Sequence, residues 1–73
     1  MPNQLIRELG VVALTTDLPG ERLFRGQVGT VVHVHNPDTF EVEFVDNDGR
    51  TYGLTTRRSD QLLRLHHSPV AAA

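Results

Sequence analysis

Four histidines are the residues whose spacing most directly offers chemistry. His33 and His35 stand at i and i+2 on a β-branched run, which puts them on one strand face, and His66-His67 follow the last apolar segment, so zinc capture is the chemistry to weigh. Solvation is the plainer account. Adjacent tail histidines normally face water and His33 has a carboxylate neighbour in Glu41, so neither a metal nor any other cofactor is expected. Asp46-Asn47-Asp48-Gly49 has the spacing of a calcium-loop fragment, but Phe44 occupies the preceding ligand position and no glutamate closes the loop, which leaves a hairpin turn. Glu41 and Glu43 alternate with apolar residues, as carboxylates on a solvated strand face do. There is no cysteine, and neither Ser59 nor Ser68 has a nucleophile elbow or an oxyanion donor nearby. The chain is therefore expected not to be an enzyme, and no catalytic residue is assigned.

Binding is the remaining class. The stretch Gly26-Gln27-Val28-Gly29-Thr30-Val31 resembles the loop-to-strand entry of KOW-like, nucleic-acid-binding SH3-like modules. Against that stand a net charge of −2, seven basic residues that are all arginine, and nine acids. Neither a basic groove nor a row of stacking aromatics is present, so nucleic acid is not the expected partner and a KOW-like module is kept as the alternative. Proline-rich peptides need an aromatic-lined groove, whereas Tyr52 is the one tyrosine and tryptophan is absent. Arg57-Arg58, the one adjacent cationic pair, reads as a solvated turn. Phe24 stands between Arg22 and Arg25, and aromatic plus arginine is the composition of interaction hot spots. Leu18, Arg22, Phe24 and Arg25 are accordingly the expected contacts to a larger partner protein, for which this chain would be a subunit or antitoxin-like modulator. Two alternatives stay open: Phe24 folds beneath its loop, or the chain is a structural homo-oligomer.

At 73 residues the chain is one domain, near the size at which a single core leaves stability marginal. Absent cysteine fits a reducing compartment, and the N-terminus shows neither a basic n-region nor an apolar h-region, so the cytoplasm is the expected address. No apolar run approaches the roughly 18 residues of a membrane span.

The elements that must position these residues follow from pattern. Leu5, Ile6 and Leu9 read as one helical turn or an extended lead-in. Val11-Val12-Ala13-Leu14 is a first strand, closed by the turn residues Asp17-Leu18-Pro19-Gly20. Thr15 to Gly26 is then a long loop anchored by Leu18 and Leu23. Gly26 and Gly29 supply positive φ and close backbone approach at its end. Strands are expected over 27–35, 39–46 and 50–55, a single 3₁₀ turn over 56–60, and a last strand over 61–65.

Registers follow from turn lengths. A two-residue Asp48-Gly49 loop sets Phe44 opposite Gly53 and Glu43 opposite Leu54. A three-residue loop with Gly49 left-handed sets Phe44 opposite Tyr52, Val42 opposite Leu54 and Asp46 against Arg50 as an ion pair. The second keeps aromatic and aliphatic residues together and is preferred. Upstream, Val34 pairs with Phe40, Val32 with Val42 and Thr30 with Phe44, leaving His33 beside Glu41 and Val31 beside Glu43 on the other face. The expected fold is all-β: a small five-stranded SH3-like antiparallel barrel with one 3₁₀ turn before the last strand, formed by residues 1–66, with a disordered tail at 67–73. Its core is Val12, Leu14, Val28, Val32, Phe40, Val42, Phe44, Tyr52, Leu54, Leu63 and Leu65.

Val12-Ala13-Leu14, Asp17-Leu18-Pro19, Gly26-Gln27-Val28-Gly29-Thr30-Val31-Val32, Glu41-Val42-Glu43-Phe44-Val45-Asp46, Gly49-Arg50-Thr51-Tyr52 and Gln61-Leu62-Leu63 together resemble a family of short bacterial proteins catalogued as a domain of unknown function. The likeness covers about residues 9 to 66. It implies a stand-alone SH3-like barrel with no functional residues to carry over, and, from the toxin-like genes beside some members, a partner protein. Gly53 stands where such relatives are expected to have alanine, a difference that concerns packing.

Overall fold

A computed structural model describes residues 6–65. The expected tail at 67–73, the histidines His66 and His67, and the part of the lead-in before Ile6 lie outside the described residues. The chain is all-β: β1 (Val11–Leu14), β2 (Val28–Asn36), β3 (Thr39–Val45), β4 (Thr51–Arg58) and β5 (Leu62–Arg64). One antiparallel sheet contains all five, in the order β4-β3-β2-β1-β5. Among the described residues no ladder joins β4 to β5, so the hydrogen-bonded ring stays open. Two 3₁₀ turns are present, Pro19–Glu21 within the long loop and Ser59–Gln61 before β5, where one was expected. No helix of the described residues is long and apolar enough to cross a membrane.

Val12, Leu14, Leu23, Val31, Phe40, Val42, Phe44 and Leu62 form the core, with Ile6 and Leu18 packed against it. Five of the expected core residues are there: Val12, Leu14, Phe40, Val42 and Phe44. Six are not, and bulges in β2 and β4 account for three of those, Val32, Tyr52 and Leu54.

In β2, Val31 lies opposite Val42 and His33 opposite Glu41, so Val32 is an extra residue with no partner. With Val34 held opposite Phe40, a bulge here moves the side chains that precede it by one position, which sends Val31 inward in place of the expected Val32 and removes Val31 from Glu43. Thr30 accordingly faces Glu43 rather than Phe44, while the pairing of Val34 with Phe40 holds. His35 is a second extra residue, between Val34 and Asn36.

Tyr52 is the third, and there both candidate registers exist on one hairpin. Next to the turn, Val45 lies opposite Thr51 and the Asp46 N–H donates to the Arg50 carbonyl at 2.8 Å, as a three-residue loop requires. Gly49 has φ +82°, the left-handed position expected of it. Beyond Tyr52 the ladder has slipped, so that Phe44 faces Gly53, Glu43 faces Leu54 and Val42 faces Thr55. The preferred pairing of Phe44 with Tyr52 and Val42 with Leu54 is thereby overturned. Tyr52 and Leu54 are exposed, while Thr55 takes the inward position. Val28 and Leu63 are exposed too: both lie opposite Ala13, on the other face of β1 from Val12 and Leu14, where the small Ala13 is covered but its larger neighbours are not, whereas Leu62 pairs with the buried Leu14. Leu65 is half-buried beyond the end of β5.

The expected 3₁₀ turn at 56–60 starts later, because β4 runs on through Thr56, Arg57 and Arg58 to give Glu41, Phe40 and Thr39 their ladder partners. The two glycines that open β2 divide their work: Gly26 takes φ +93°, and Gly29 gives close approach. A Cβ built on Gly29 would lie 2.7 Å from Val42 Cγ1, 2.8 Å from the Glu43 carbonyl oxygen and 2.9 Å from Phe44 Cε2. At Gly20 nothing lies within 4 Å. Gly29→Ala is therefore expected to cost about 1–3 kcal/mol of unfolding free energy by overpacking. Gly20→Ala should stay within about 0.5 kcal/mol. Urea denaturation midpoints measure both, and equal midpoints would contradict the packing at Gly29.

Candidate functional site

The β1–β2 loop carries all four expected contact residues, and its conformation follows from a short chain of backbone bonds. Leu18 and Leu23 bridge each other in antiparallel fashion, the Leu18 N–H donating to the Leu23 carbonyl at 2.7 Å and the reverse bond measuring 3.2 Å. Pro19, with its φ preset, starts the 3₁₀ turn between them. The turn ends at Arg22 in the left-handed region, φ 58°, which reverses the chain so that Leu23 returns beside Leu18. A non-glycine residue in that region costs roughly 1 kcal/mol, offset here by burial of Leu23 at 1% exposure.

Side chains tie the rest of the loop. The Asp17 carboxylate accepts from the Arg25 N–H at 2.9 Å, and Gln27 Oε1 accepts from the Phe24 N–H. The Gly26 N–H reaches the Leu14 carbonyl at 2.8 Å, closing the loop onto the end of β1. Both leucine anchors expected from the sequence hold: Leu23 is in the core and Leu18 is half-buried against it. Of the four expected contact residues, Arg22, Phe24 and Arg25 are exposed and adjacent, and Leu18 lies beneath them as support. Phe24, for which a folded-under position was the alternative, is 47% exposed.

Arg57 belongs to this loop as well, although sequence reasoning placed it in a solvated turn. Its guanidinium Nη2 donates to Glu21 Oε2 at 3.3 Å, with its side chain 23% exposed, so β4 holds the loop's 3₁₀ turn. The Arg57 Nε is buried without a hydrogen-bond partner. Arg58, by contrast, is exposed and pairs with Asp60. Only the inward-outward alternation along β4 distinguishes the two, and that was hidden by reading Thr56 to Asp60 as a turn. Leu23 also touches β4: a Cβ on Gly53 would meet Leu23 Cδ2 at 2.8 Å. The glycine at this position therefore makes room for the loop anchor.

The histidine and carboxylate groups lie elsewhere, on the outward face of β2 and β3. His33 faces Glu41 across the ladder, yet it is His35 Nε2 that approaches Glu41 Oε1, at 3.8 Å, and the two imidazoles meet edge to face. Among the described residues no three His, Asp or Glu side chains converge as a metal site would require. Glu43 accepts a hydrogen bond from the Thr51 hydroxyl. The Asp46 carboxylate accepts from the N–H groups of Asp48 and Arg50, at 2.8 and 3.0 Å, as a turn-forming aspartate does. No ion pair links the Asp46 and Arg50 side chains; the expected charge contact is replaced by this backbone bond.

A family model described as a domain of unknown function (DUF4926) matches residues 8–64. The chain belongs to that family. The DUF4926 match takes in every strand and the whole β1–β2 loop, so the loop is part of the family's own unit rather than an addition to it. No curated protein and no solved structure matches the chain.

Leu23→Ala tests whether the loop is held as described. The expected cost is about 2–5 kcal/mol, with faster amide exchange at Leu18 and Leu23. Unchanged exchange at those amides would show that the loop is held by other contacts.

Proposed function

We propose that this chain is a non-catalytic interaction module, a subunit or antitoxin-like modulator that docks a larger protein through the β1–β2 loop. The observation that carries this is the contrast between neighbours: Leu23 is buried at 1% exposure while Phe24, next to it, is 47% exposed. An anchored backbone that holds an aromatic ring in water between two arginines is ordered before binding, which lowers the backbone part of the ordering cost of association. Among the described residues neither Arg22 nor Arg25 is in an ion pair, unlike Arg57 and Arg58. Their charges are available to a partner's acidic groups.

In this reading the fold is an SH3-like barrel, supported by the strand order, the long first loop and the 3₁₀ turn that precedes β5. The net charge of −2 without lysine favours a protein over a nucleic acid as the ligand. Absent cysteine supports a cytoplasmic setting.

Affinity capture from the native host, followed by titration of the purified partner, tests the proposal. Phe24→Ala and Arg25→Ala are each expected to weaken binding about tenfold or more while leaving stability within about 1 kcal/mol. Arg22→Gly should raise stability by up to about 1 kcal/mol, by relieving the left-handed backbone, and still weaken binding. Affinity unchanged in all three variants would remove the loop from the interface. Salt-dependent binding of a labelled oligonucleotide would favour the KOW-like alternative.

A further inference from the structure

Given the docking role of the β1–β2 loop proposed above, on which this rests, we infer that the segment it takes is acidic. It is a stretch of the partner protein in which carboxylates flank an apolar side chain, the carboxylates meeting Arg22 and Arg25 and the apolar group covering Phe24. The loop separates its charges. Its two acids are turned back onto the fold, Asp17 accepting from the Arg25 N–H at 2.9 Å and Glu21 pairing with Arg57 at 3.3 Å. Arg22 and Arg25 are exposed, and among the described residues neither guanidinium is in an ion pair.

The other arginines are placed differently. Arg57 and Arg58 are paired. Arg7 and Arg50 have acids close by in sequence, Glu8 and the Asp46-Asn47-Asp48 turn, and Arg64 has a leucine on either side. Among the described residues, two cations bracket an exposed ring only at 22–25. A guanidinium presents a planar fork that matches a carboxylate, so this arrangement asks for carboxylates on either side of one apolar group.

Phosphate is anionic too, but the charge around the loop favours a peptide. A nucleic-acid strand brings a phosphate with every nucleotide and needs a run of cations to follow it. Here two arginines stand on a chain of net charge −2, with Asp17 and Glu21 in the same loop. A peptide places its carboxylates at the two arginines alone, and the rest of it can be neutral. The loop backbone is already held by the Leu18–Leu23 bridge and by Gln27 Oε1 at the Phe24 N–H, so the backbone positions of the three contact residues are set before the segment arrives.

Titration of the full chain with short synthetic peptides, followed by NMR, tests the inference. The probes are Glu-Asp-Leu-Asp-Glu and its inverse Lys-Arg-Leu-Arg-Lys, both with blocked ends, and oligothymidylate. The acidic peptide is expected to shift the amides of 22–25 and to bind about tenfold or more tightly than the inverse, with the preference shrinking at high salt. Arg25→Glu should reverse the preference; if that variant fails to fold by circular dichroism, Arg22→Gln with Arg25→Gln should abolish it. Arg50→Gln, on the β3–β4 turn, should leave it unchanged. Equal binding of the two peptides overturns the inference. So does a preference that Arg50→Gln reduces as much as Arg25→Gln does, or tighter binding of oligothymidylate than of the acidic peptide. The loop's role as an interface is read separately, with a purified partner. Binding lost on Phe24→Ala but indifferent to Arg25→Glu keeps the loop and removes its acidic ligand, whereas binding indifferent to Phe24→Ala, Arg22→Gly and Arg25→Ala alike removes both.

Discussion

Phe44 can be fully buried only because two Cβ atoms are missing beside it. Gly29 on β2 gives way to its Cε2 edge, and Gly53 on β4 leaves room beside its Cδ1. An aromatic ring on the middle strand of three needs space on both sides, and protein interiors packed near crystal density provide it only where a side chain is absent. The rest of the core is arranged around this clearance. Val42 lies in the same notch at Gly29, and Leu23 comes down over Gly53 from the β1–β2 loop. The loop's anchor and the sheet's central ring are thus two sides of one packing event.

The loop owes its form to that anchor. With Leu23 held in the core, the bridge to Leu18, the left-handed Arg22 and the outward Phe24 follow as the short path that reverses the chain. A left-handed arginine is retained where glycine would fit more easily, and a large ring stays in water where burial would stabilise the fold. Both features are unfavourable for stability alone, which is why they carry the functional proposal.

The succession of strands along the chain and the two hairpin turns were legible in the sequence, because alternation, Gly49 and the Asn36-Pro37-Asp38 turn act locally, whereas the 3₁₀ turn at Pro19–Glu21 was not foreseen and the one before β5 was placed too early. Register was legible only in part. Nothing in the types of Val32, His35 or Tyr52 marks them as the unpartnered residue of a bulge; each has the β-branched or aromatic-like character of an ordinary strand position. A bulge is decided by what the neighbouring strand must bury, here by Phe44 claiming the space at Gly53, and that is a property of three strands together. At the candidate site the exposure of Phe24 was balanced against burial and only packing decided it. Arg57 was missed because the end of β4 is set by the length of β3 rather than by its own residues.

Arg57 joins two regions that the chain keeps far apart in sequence. Its guanidinium grips Glu21 on the tip of the β1–β2 loop, while its backbone belongs to the outermost strand. A single charged strut therefore fastens the loop tip to the sheet, across 36 positions of sequence. A partner that pulls Glu21 away would strand a guanidinium whose Nε already lacks company, so the strut resists displacement more strongly than a surface contact of the same length would.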